Sequence, residues 1–90
     1  MEGSKTIVFE ILSNKMRQNI LLILYKTEMK WKDIKTKLEN LEKKEINPNA
    51  ITFHLRKLME AGLVSRCERE GVGIYSLTEQ GKSVVEKHLR

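Results

Sequence analysis

Glycine placement constrains this chain more than any other feature. Every glycine but Gly3 falls at or beyond position 62, and the sole proline is Pro48. A long stretch nearly free of both suits helices, whereas Gly62, Gly71, Gly73 and Gly81 punctuate a turn-rich final third.

Apolar spacing before Gly62 follows the helical period. Ser4 is placed to cap a short helix with Ile7, Val8, Ile11 and Leu12 on one stripe. Ser13 or Asn14 restarts the chain into residues 15–26, where Met16, Ile20, Ile23 and Leu24 line one side and Leu21 and Leu22 widen it. So broad an apolar face marks a central helix. Met29-Lys30-Trp31 reads as a brief extended segment. Trp31, Ile34, Leu38 and Leu41 then form the inner stripe of a third helix, with Lys30, Lys32, Lys35 and Lys37 read as a solvated face in preference to a phosphate clamp. Asn47-Pro48 starts a fourth helix over 48–61: asparagine caps open N–H groups, and the first helical position does not need the donor that proline lacks. Ile51, Leu55 and Leu58 point inward, and Gly62 ends the helix. Strands at 63–69 and 74–77, joined across Glu70-Gly71-Val72-Gly73, form a hairpin over 63–77. Thr78 caps a last helix over 79–90 with Val84, Val85, His88 and Leu89 on its stripe. The order α-α-α-α-β-β-α predicts one domain over residues 1–90, mainly α with a small β-hairpin (α+β), a winged helix-turn-helix.

Several classes of function are excluded. The longest apolar run, Ile20 to Tyr25, is far short of the ~20 residues a membrane span needs. Residues 1–5 lack secretory-signal features. Cys67 is the only cysteine, so neither an internal disulfide nor a zinc framework is available. The expectation is a cytoplasmic protein with no membrane partner, no metal and no cofactor. No Ser/His/Asp set, Cys/His set or Gly-rich phosphate loop is present, which argues against an enzyme. The net charge of +5 favours a polyanionic partner but is spread along the chain without a polybasic tail. The case for nucleic acid therefore rests on architecture.

The run Leu12-Ser13-Asn14-Lys15-Met16-Arg17-Gln18-Asn19-Ile20-Leu21 resembles the opening signature of ArsR-like winged-helix transcriptional regulators. Residues 47–58, then Glu60-Ala61-Gly62-Leu63-Val64, are similar to their recognition helix and its exit. Residues 74–81 are similar to the return strand of the wing and the start of the last helix. The resemblance covers nearly the whole chain from Ile7 and implies a double-stranded DNA partner. The cysteine-rich metal-sensing motif of the metalloregulatory branch is missing: the third helix reads Lys32-Asp33-Ile34-Lys35-Thr36-Lys37. Phe53 stands where the family usually has a polar or basic reader, Val72 occupies a commonly basic wing tip, and Asn40–Ile46 lengthens the connection before the fourth helix.

A helix with one edge anchored in a core offers its other face to the major groove. Here the N-terminal half presents Asn49, Ala50, Thr52 and Phe53 as base readers: asparagine bonds adenine bidentately, and threonine or phenylalanine packs on a thymine methyl. Arg56 and Lys57 suit phosphate, and the helix N-terminus offers open N–H groups to another. Arg66 and Arg69 flank the hairpin turn, in reach of the adjacent backbone or minor groove. Val8, Ile11, Val84, Val85 and Leu89 form stripes expected to pair with a second copy, giving a homodimer whose recognition helices lie one DNA turn apart. His54 is expected packed and hydrogen-bonded, His88 at an interface, Cys67 half-buried, and Trp31 in the core or between sheet and third helix. The alternative reading is a winged-helix protein-interaction module without sequence-specific DNA binding.

Overall fold

Asn14 sets the start of the central helix by accepting a hydrogen bond from the Arg17 backbone N–H at 3.1 Å. In the computed structural model, which describes residues 8–90, residues 8–12 are helical (α1) and helix α2 follows at Lys15–Lys26. Ser4 and Ile7 lie outside the described residues. Ile20, Leu21, Ile23 and Leu24 are buried because α2 packs against the third and fourth helices, the sheet and the last helix.

Strand β1 (Met29–Lys30) runs directly into α3 (Trp31–Glu42), with Asp33 in its first turn. A carboxylate there complements the helix dipole. Ile34 and Leu38 are fully buried, but Leu41, expected inside, is 58% exposed. Its angular position on α3 is right, yet no element reaches over the last turn. After α3 the chain turns through Lys43, held left-handed at φ 57°. The longer connection is tied down at its far end: the Glu39 carboxylate takes a bond from Lys35 Nζ at 2.8 Å and one from the Ile46 backbone N–H at 3.1 Å. The Ile46 side chain is buried beneath.

Helix α4 (Pro48–Glu60) begins where Asn47 Oδ1 accepts the Asn49 N–H at 2.7 Å. It ends at Gly62, φ 78°, with Gly62 N–H bonded to the Met59 carbonyl and Leu63 N–H to the Leu58 carbonyl, both at 3.0 Å. This double closure is the Schellman form of helix end, and its left-handed position favours glycine.

Strands β2 (Val64–Arg69) and β3 (Val72–Leu77) are antiparallel, Val64 opposite Leu77 and Arg69 opposite Val72. The turn is therefore the two-residue pair Glu70-Gly71, at φ 54° and 80°, and not the four residues expected. Positive φ at both central positions is the type I′ geometry that matches strand twist. Val72 lies in the ladder and is not the tip. Met29 pairs with Tyr75, making a three-stranded sheet of order β1-β3-β2 where sequence suggested a hairpin beside a short extended segment.

Helix α5 (Glu79–Val84) passes into a π-helical turn at Val85–Leu89. Thr78 fastens it to the end of α4: its hydroxyl donates to the Gly62 carbonyl at 2.6 Å and accepts from the Gly81 N–H at 3.0 Å. Gly81 is buried with the Leu63 carbonyl where a Cβ would stand. The result is a mostly helical winged helix-turn-helix. No described helix is long and apolar enough to cross a membrane.

Candidate nucleic-acid interface

Helix α4 is divided sharply between core and solvent. Ile51, Leu55 and Leu58 have 0–1% of their surface exposed, whereas Asn49, Thr52, Arg56 and Lys57 are exposed and Phe53 is 47% so. Ala50 is half-buried, at the edge of this face. A phenylalanine left this open inside a basic face is available to a partner. Lys57 Nζ sits 5.5 Å from the Phe53 ring centroid, a cation–π contact that holds cation and ring on one surface.

The N-terminus of α4 does not supply the open N–H groups expected of it. Pro48 has none, Asn49 N–H is capped by Asn47 Oδ1, and those of Ala50 and Ile51 reach the Asn47 carbonyl at 3.0 and 3.3 Å. The cap that starts the helix thus uses the donors a phosphate would need.

His54, expected packed and hydrogen-bonded, is half-buried, meets the Phe53 ring edge to face at 5.3 Å and lies 3.4 Å from Arg17 Nη1. Burial, then the Arg17 charge, pushes its pKa below the usual histidine value. It links Phe53 on the open face of α4 to Arg17 of α2.

On the wing, Arg66 crosses Gly73 and stands 6.0 Å from the Tyr75 ring centroid. Beside it, Lys30, Trp31 and Lys32 at the start of α3 complete a groove of about 300 Å3 beneath the hairpin. In the sequence, Lys30 and Lys32 belong to a lysine run that reads as a solvated face in preference to a phosphate clamp. The tertiary fold brings them to Arg66, and their sequence signals are that lysine run and their position on either side of Trp31. Trp31 is half-buried there, its indole N–H without a partner. Arg69 is held by both carboxylate oxygens of Glu28, one at 3.2 Å, and that pairing raises its pKa. So exposed a pair contributes little to stability.

The surface assigned to a second copy is narrower than the apolar stripes imply. Ile11, Val84 and Val85 are 5%, 9% and 0% exposed, used up by this chain's own core. In a chain this small, both terminal helices are needed to cover α2. Val8 and Leu89 are half-buried, and Phe9, absent from the sequence-based assignment, is 69% exposed. His88 is exposed, and Cys67, expected half-buried, is exposed because little beyond Val64 on β2 meets the core. Among the described residues no cluster of His, Cys, Asp and Glu is arranged to hold a metal ion.

The HxlR-like helix-turn-helix family matches residues 11–89. The chain belongs to that family. The motif resemblance to ArsR-like regulators stands at the level of the winged helix-turn-helix, while the matching family is HxlR-like. Solved structures agree on the fold of this HxlR-like chain. HlyU from Vibrio cholerae superposes with a TM-score of 0.79 at 22% identity, covering 96% of this chain and 88% of that one. RosR from H. salinarum gives 0.75 at 29% identity over 82% and 69%. A ZitR double mutant from Lactococcus lactis gives 0.72 at 28% over 84% of this chain and half of its own. No curated protein matches the sequence. The HxlR-like protein is a DNA-binding transcription regulator and not an enzyme.

Proposed function

We propose that the protein is a sequence-specific regulator that binds double-stranded DNA as a homodimer, with α4 in the major groove and the β2–β3 hairpin on the adjacent backbone or minor groove. One observation carries this reading: the Asn49–Thr52–Phe53–Arg56 face of α4 is open, while the opposite edge of the same helix is fully buried. A rigidly seated helix with a free outer face suits base readout. Asn49, Ala50, Thr52 and Phe53 read bases. Arg56, Lys57, Arg66 and Arg69 hold phosphates and set register without reading sequence. Val8, Leu89 and Phe9 supply the apolar contact between copies.

Selection of bound sequences from a random DNA pool tests the reading. The expected result is a palindromic site with half-sites roughly 34–36 Å apart. Uniform binding that vanishes as salt rises would replace it with nonspecific association. Light scattering is expected to give a dimer mass that Phe9→Glu reduces to that of one chain. The exposed Phe53 ring also suits the surface of a protein-interaction module. A protein partner retained after nuclease treatment, with no DNA selected, would favour that second reading.

A further inference from the structure

The groove between α2 and α3 lies apart from the residues assigned to DNA. Leu22 and Ile23 of α2, Met29 of β1 and Leu41 of α3 form its apolar wall, around a volume of about 440 Å3. Leu41 gives this wall a leucine left 58% exposed. Lys26 and Lys37 stand at the rim, and no acidic residue lines the groove. Among the described residues neither lysine makes an ion pair. Glu28 and Asp33 line the adjoining cleft, which Lys37 also borders, and Glu28 is engaged by Arg69.

Size and charge together select the occupant. The volume falls within the roughly 300–1,000 Å3 of small-ligand sites. Nine residues line the groove, against about 20–30 on each side of a stable protein interface. An apolar wall with an unpaired basic rim complements a molecule with a hydrocarbon body and one anionic end. We infer that the groove binds a small aliphatic monocarboxylate, its chain along Leu22, Ile23, Met29 and Leu41 and its carboxylate at the Lys26 and Lys37 rim.

Such a ligand bears on the DNA-binding elements through two existing links. Glu39 of α3 holds the Ile46 N–H just before α4, and Met29 pairs with Tyr75 of the wing. An effect on DNA affinity rests on the regulator reading, whereas binding itself does not.

Decanoate, titrated calorimetrically into the full chain without DNA, is the direct test. Saturable binding of one molecule per chain is expected, with decanol weaker by roughly tenfold because it cannot use the lysines. Lys26→Ala with Lys37→Ala is expected to cost a similar factor, and Leu41→Glu to abolish binding. Leu41 is exposed, and unchanged melting verifies that the fold survives. No saturation up to about 1 mM, equal affinity for decanol, or indifference to these substitutions would overturn the site. A lower mass for Leu41→Glu in light scattering would assign the groove to a second copy and also overturn it. With the selected DNA present, decanoate is expected to change its affinity about threefold or more. Saturable binding with unchanged DNA affinity overturns the regulatory consequence alone.

Discussion

Arg17 of α2 donates from Nη1 to Nδ1 of His54 on α4 across 3.4 Å, while Nε and Nη2 donate to the carbonyls of Ile11 and Glu10 at 3.0 and 3.1 Å. Arginine only donates, so Nδ1 must be unprotonated and the neutral ring carries its proton on Nε2. One guanidinium thereby joins the end of α1, the central helix α2 and helix α4. Charging His54 would remove its bond and set two cations together.

That arrangement predicts a pH dependence. The folded pKa of His54 lies below the ordinary value of 6.5, chiefly through burial. The unfolded chain therefore takes up the proton first, and stability falls as pH drops below about 6.5, levelling off beneath the lowered folded value. Thermal melting between about pH 7.5 and pH 5 is expected to show this fall in the native chain and a flatter profile in His54→Gln.

Glu39 titrates with the opposite charge but the same direction of effect. The Lys35 hydrogen bond, then that from the Ile46 N–H, holds its pKa below 4.5. Its contribution is present above that value and lost as pH falls through the lowered one. Glu39→Gln keeps an acceptor but no charge. The lead of the native chain over this variant in acid titration is expected to shrink below about pH 4.5.

Base readers and phosphate contacts are separable by salt. Asn49→Ala is expected to cost about 1–3 kcal/mol on the preferred site and little on unrelated DNA. Lys57→Ala is expected to weaken all sequences alike and reduce the slope of log affinity against log salt by about 0.9 for each copy bound, about 1.8 for the dimer. Equal loss on both kinds of DNA for Asn49→Ala would remove it from the proposed base readers.

Two glycines should respond very differently to alanine. At Gly81 the new Cβ meets the Leu63 carbonyl, whereas at Gly71 it meets open space and only the positive φ of 80° is strained. Denaturant unfolding of Gly81→Ala is expected to show a loss of about 3 kcal/mol or more, since backbone must move. Gly71→Ala is expected to lose about 1–2 kcal/mol.

Punctuation in the sequence determined most of the element order. Asn14, Asn47-Pro48, Gly62 and, in its bond from the Gly81 N–H, Thr78 act through residues a few positions away, so their capping meaning is local. The division of α4 was legible for a related reason: Ile51, Leu55 and Leu58 repeat at helical spacing within one element. Only the tertiary structure decided which apolar stripes become covered. Ile11, Val84 and Val85 are enclosed, while Leu41 and Phe9 stay open. Likewise, long-range folding placed Met29 against Tyr75, Arg69 on Glu28, and Lys30 and Lys32 beside Arg66. Periodicity gives the direction in which a side chain leaves its helix, but whether another segment lies there depends on how distant parts of the chain meet.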